Sequence, residues 1–158
     1  MLNDAALARA IHVVAIVVWI GGVSFVTTVL LPAIRRAHPP QERLAVFLRY
    51  ERAFSWQARI SVAASGLSGL YLVWRFNMWA RFGQAQYWWL HAMAGLWLAF
   101  AALLFVIEPL ALDRRLAAAA DTAGSEAMFA RMERMHWIFL ALSLATAFAA
   151  AGGAHGLF

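Results

Sequence analysis

Apolar residues in this chain gather into four long runs, set apart by short stretches where charge, proline and glycine collect. The first run, Ile11 to Leu31, carries no charge and is long enough to cross a bilayer. A second, about 56–74, is interrupted by Ser61, Ser65, Ser68 and Gly69 at three- and four-residue steps, the pattern of a helix-packing seam. The third covers about 87–107 and the fourth about 137–154. Pro39 and Pro40 force a turn after the first run. The stripe Leu44, Phe47, Leu48 and Phe54 then predicts an amphipathic helix that leads directly into the second crossing. Arg75 to Gln86 reads as a connection, with Trp79, Tyr87, Trp88 and Trp89 as an interfacial belt. Asp121 to Ser125 reads as a loop, Asn3 or Asp4 as the first N-cap, and Gly152–Gly153 as the last helix end. With crossings at about 10–31, 56–74, 87–107 and 137–154, the expected fold is an all-α integral membrane domain spanning 1–158, a bundle of four transmembrane helices.

Composition agrees with that pattern. Of 158 residues, 64% are hydrophobic and 13% charged, more apolar surface than a soluble domain of this size can bury. No cysteine is present, which excludes thiolate metal sites, iron–sulfur clusters and disulfides. The net charge of +5 comes entirely from arginine on the basic side. It reports topology rather than nucleic-acid binding, so the expected partner is the lipid bilayer. Arg35, Arg36, Arg43, Arg49, Arg52, Arg114, Arg115, Arg131 and Arg134 flank the first and third connections, while Arg9, Arg75 and Arg81 lie on the other side. The positive-inside rule then puts both termini outside the cytoplasm. The leading MLNDAALARA has no basic n-region, so the first run reads as a retained helix, not a signal peptide.

Two landmarks recur. His12, an apolar stretch, Pro32 and Arg35–Arg36 are matched by His91, an apolar stretch, Pro109 and Arg114–Arg115. Arg49-Tyr50-Glu51-Arg52 before the second crossing is matched by Arg131-Met132-Glu133-Arg134 before the fourth. This predicts two parallel helix-hairpin repeats about an axis along the membrane normal. His12 and His91 become symmetry mates at one depth, an arrangement suited to axial ligation of a non-covalent haem b. Trp19 and Gly22 share a helical face with His12, and Gly95 stands one turn after His91, leaving room for a macrocycle. Arg9, Arg75 and Arg81 are candidates for its propionates.

These residues resemble the CopD/HemJ group of small bacterial membrane proteins. The resemblance lies in IHVVAIVVWIGG (Ile11 to Gly22), LLPAIRR (Leu30 to Arg36) and WWLHAM (Trp88 to Met93). It implies a multi-pass protein of the bacterial inner membrane, linked either to copper handling or to haem and protoporphyrinogen oxidation. The HemJ pattern has a lysine two residues after the histidine; Met93 stands there, and the chain has no lysine. That argues against HemJ enzymology and leaves the haem site open.

Two functions follow as expectations. One is a haem-dependent membrane oxidoreductase, with His12 and His91 as axial ligands, passing single electrons to or from a quinol or another redox partner. Bis-histidine ligation leaves no open position, which favours electron transfer over oxygen chemistry. The other is copper binding or transport through His12, His91, Met93 and His155, with Met78 nearby. A cofactor-free packing subunit and a homo-oligomer are also compatible with the pattern, and no catalytic residue is singled out. His136 reads as an interfacial group beside Glu133, and His38 carries no functional argument. Glu51–Arg52 and Glu133–Arg134 are expected to pair across the halves, and Glu108 with an arginine at the cytoplasmic face.

Overall fold

The computed structural model describes residues 3–111, 117 and 122–157. These residues form helices and turns, with no strand among them. Four long helices run up and down: α1 (Asp4–Ala37), α2 (Pro40–Arg75), α3 (Ala85–Ala111) and α4 (Thr122–Ala154). The exit expected at Arg114–Arg115, and Asp121 of the expected loop, lie outside the described residues. From Thr122 onward that loop is instead already helix.

Local chemistry sets the ends. The Asn3 side chain accepts from the amides of Ala5 and Ala6 and so caps α1. His38 and Pro39 are extended, because a residue ahead of proline is driven out of the helical region. Pro40 then opens α2, where its missing N–H costs nothing. Asn77, at φ 51°, turns the chain out of α2 in the left-handed conformation that asparagine tolerates. A 3₁₀ turn, Met78–Gly83, leads into α3, whose first turn, Ala85–Tyr87, is also 3₁₀.

Both α1 and α3 contain a π turn, Val26–Leu30 and Leu103–Ile107, each followed two residues later by a proline, Pro32 and Pro109. Proline cannot donate to the ladder and crowds the carbonyl four residues back. Widening the preceding turn relieves that crowding without a break in the helix. Both landmarks are 77 residues apart. Carried along the helices, that offset places Trp89, not His91, opposite His12. Each ring rests on a glycine: a Cβ on Gly69 would come within 2.9 Å of the His12 ring, and one on Gly153 within 2.5 Å of the Trp89 indole. The matched depth expected for His12 and His91 is therefore corrected by two residues, enough to point the side chains in different directions.

α2 packs most extensively on α1, and it also touches α4 and α3; α4 touches α1 and α3. α1 and α3 occupy the far corners of a diamond, with α2 and α4 across its short diagonal. At the end that carries the prolines, Leu31, Ile34, Leu44, Phe47, Phe129 and Met132 form one core. The Phe47 and Phe129 rings meet edge to face at 6.4 Å. A second core in mid-bundle joins Trp19, Val23, Val62, Phe100, Leu104 and Leu140.

Three of the four helices, α1, α3 and α4, are long and apolar enough to cross a membrane; α2, expected as a further crossing, does not meet that measure. The 36 residues of α2 extend about 54 Å, so it also carries the amphipathic segment expected before the crossing. Outward faces of the bundle are apolar: Leu67 on α2 and Leu110 on α3 keep 70% and 80% of their surface. The serine stripe is a seam. Ser61, Ser65 and Ser68 donate to carbonyls of their own helix, at 2.6–3.2 Å, and leave α1 free to approach.

Truncating Phe47 to alanine should open a void between α2 and α4 and lower stability by about 3–5 kcal/mol, read as a fall in the melting temperature of the purified protein in detergent.

Candidate functional site

The residues expected to hold a cofactor do not meet. His12 Nδ1 donates to the Ser65 carbonyl at 2.8 Å and lies 3.1 Å from Ser68 Oγ, against α2. Among the described residues Nε2 of His12 has no partner, as a ligating histidine would be held. His91, however, is exposed on the far corner helix, and its Nε2 donates to the Phe82 carbonyl at 2.8 Å. Gly22 is filled by the Phe54 ring and Gly95 faces open space, so neither makes a slot for a macrocycle. Arg9 lies over the Phe76 ring at 5.7 Å, Arg81 over Tyr87 at 5.1 Å, and Arg75 pairs with Asp4 at 3.4 Å. A haem shared by His12 and His91 does not fit these residues.

The copper set fares no better. His155 donates from Nδ1 to the Ala151 carbonyl at 2.8 Å on the exposed end of α4, and Met93 is half-buried on α3. Among the described residues no three of histidine, cysteine, aspartate and glutamate come together as a metal site would require.

What the bundle does bring together lies toward the proline end. A chamber of about 80 Å³ sits between the four helices, lined by Trp19, Glu51, Phe54, Gln57, Glu108 and His136 among apolar neighbours. That volume holds a few waters. Trp19 is 6% exposed, and its indole N–H has no hydrogen-bond partner among the described residues. His136 donates from Nδ1 to the Met132 carbonyl at 2.8 Å, and its ring meets Phe47 edge on at 5.7 Å. It belongs to this interior as well as to the rim where it was expected. Next to the chamber, an open groove of about 560 Å³ runs between α2 and α3 past Leu48, Arg52, Trp56, Arg59, Phe105 and Pro109. Glu51, Ser55, Leu104 and Glu108 line both spaces and form the neck between them.

Arg59 organises that neck. In the π turn of α3 the Glu108 amide bonds to the Leu103 carbonyl, five residues back. By the same register the Leu104 carbonyl would turn to residue 109, and proline has no N–H to offer. Arg59 Nε donates to that carbonyl at 3.2 Å, and its Nη2 pairs with Glu108 at 3.3 Å. Glu108 therefore pairs with an arginine in the middle of α2, not with one at the helix ends. Glu133, expected to join the halves through the Glu51–Arg52 and Glu133–Arg134 set, pairs instead with Arg35 of α1. The sequence pattern passes over Arg59; the signal that could have found it is a lone charge inside an apolar run, which needs a named partner.

No family model, curated protein or solved structure matches the chain.

Arg59→Ala should cost on the order of 3 kcal/mol, because it strands both a carboxylate and a carbonyl in a largely apolar setting. The double variant Arg59→Ala/Glu108→Gln should recover part of that loss in the same thermal melt.

Proposed function

We propose that the chain is a four-crossing membrane protein that binds a lipid-phase amphiphile through the groove between α2 and α3. α2 serves as the fourth crossing. Its mean hydropathy is lowered by residues turned inward or into the groove, Arg59 and the serine seam, while Ile60, Leu67, Leu70 and Trp74 face outward. Hydropathy averaged along a helix does not distinguish its faces. The two hairpins, α1–α2 and α3–α4, are repeats about an axis between Phe47 and Phe129, with Ser61 matched by Ser143. The arginine excess at the proline end supports a cytoplasmic position for that end, with both described termini on the other side.

The observation that carries this reading is the neck itself. A mid-helix ion pair borders both a groove open at the bundle surface and a mainly apolar chamber inside it. Above the chamber the serine hydroxyls are engaged with backbone and the Trp19, Phe100 and Phe139 rings are packed together. An ion pair beside a lateral mouth, with packed rings beyond it, suits binding from the membrane rather than conduction across it. The groove's volume, about 560 Å³, lies within the usual range for small-molecule sites. The quinol partner expected from the sequence fits such a site; the haem expected beside it does not fit His12 and His91.

Ser55→Phe, which fills the neck, should abolish saturable binding of a hydrophobic probe to the purified protein, while Ser65→Ala on the seam leaves binding unchanged. A wild type that takes up no amphiphile at one per chain would end this reading. In a chain without cysteine, single cysteines at Gln41 and Gly83 should label from opposite sides of the membrane if α2 crosses it. An oxidised-minus-reduced spectrum of protein made with ample haem should show no Soret band that depends on His91.

A further inference from the structure

This inference rests on the groove reading and names the class of amphiphile. We propose that the groove between α2 and α3 holds one acidic phospholipid, its phosphate on Arg52 and its glycerol end toward Arg59. Arg49, Arg52, Trp56 and Arg59 follow one another at three- and four-residue steps and so form one stripe of α2. Arg52, Trp56 and Arg59 line the groove, and Arg49 stands one turn before them at the arginine-rich end. The charges along that wall are not equivalent. Glu108 is bound to Arg59, and Glu51 is engaged as well. Arg49 and Arg52 are exposed, and among the described residues neither guanidinium has a hydrogen-bond or ion-pair partner. One end of the groove is thus left with unanswered positive charge. A phosphate diester answers it with two parallel N–H···O bonds, the geometry a guanidinium fork favours. Arg59 stands seven residues further on, about 10 Å along α2, and so meets a different part of the same molecule. Of its five N–H groups one goes to the Leu104 carbonyl and one to Glu108, which leaves donors for an ester carbonyl. Trp56, 68% exposed, stands between the two arginines, as an aromatic side chain at a headgroup boundary does. Ile60 and Leu67 continue its helical face outward and give the acyl chains a path. A quinol would leave Arg52 without a counter-charge, and a cationic amphiphile would be repelled by it. A soluble phosphate would leave the apolar floor of Leu48, Leu104 and Phe105 uncovered.

The test titrates the full chain in neutral-detergent micelles with phosphatidylglycerol, phosphatidylcholine, decylubiquinone and glycerol 3-phosphate, followed by calorimetry. Phosphatidylglycerol should bind at one per chain and at least about tenfold more tightly than phosphatidylcholine, as one charge-assisted contact provides. Arg52→Gln should weaken phosphatidylglycerol binding about tenfold and leave phosphatidylcholine unchanged. Arg36→Gln removes the same charge from the exposed end of α1 and should change either lipid by no more than about twofold. The Arg52 side chain holds nothing else in the fold, so its variant should melt with wild type. The comparison between the two lipids does not depend on any variant. Equal losses from Arg52→Gln and Arg36→Gln would overturn the site, showing diffuse attraction to a positive surface. Binding of phosphatidylcholine or decylubiquinone as tight as that of phosphatidylglycerol would overturn the acidic class and leave the groove reading standing. Glycerol 3-phosphate binding as tightly as the lipid would overturn the lipid as occupant. Saturation by none of the amphiphiles would bring down the groove reading as well.

Discussion

Pro109 removes one backbone hydrogen, and much of the functional half of the bundle answers to that loss. The π turn ahead of it shifts the ladder by one residue and leaves the Leu104 carbonyl without an amide. In an apolar surrounding an unpaired carbonyl is costly enough to demand another donor. Arg59 supplies it and brings a charge that needs Glu108. Each step follows from the one before: proline, π turn, free carbonyl, arginine, carboxylate. The result is a charged neck where a plain helix contact would otherwise stand.

α1 has the same π turn and the same proline spacing, and its register frees the Thr27 carbonyl in the same way. Ala141 of α4 stands at the place that corresponds to Arg59, using the offset that matches the RYER and RMER segments. The α1–α4 contact is instead fastened near its end by Arg35 and Glu133. If the hairpins are repeats, the groove marks where they have diverged. The histidine end differs as well: His12 rests against Gly69 and Trp89 against Gly153, one polar and one not. An imidazole in that place is anchored by the Ser65 carbonyl, while an indole fills the space by bulk alone.

The sequence by itself determined the helices, their approximate ends and the apolar outer surface. These depend on local chemistry and on periodicity, both of which a linear pattern carries. Asn3, Pro39–Pro40 and Asn77 act on neighbours a few residues away. The serine seam was legible because small residues at helical spacing have one dominant use. The partner of Glu133 was not legible, since the arginines named for it were Arg52 and Arg134 and the bond goes to Arg35.

Only the tertiary structure decided which side chains meet. His12 and His91 look paired in a linear reading because each precedes an apolar stretch and a proline. A helix turns about 100° per residue, so a two-residue slip between the π-turn offset and the histidine offset changes the face completely. Placing α1 and α3 at far corners of the diamond then separates the two rings, an arrangement no pattern along the chain encodes. Arg59 and Glu108 lie 49 residues apart, and their pairing arises from the π turn, which itself depends on how α3 accommodates Pro109. The site was hidden for that reason: its parts are ordinary taken singly, and what joins them is a backbone hydrogen bond that cannot form.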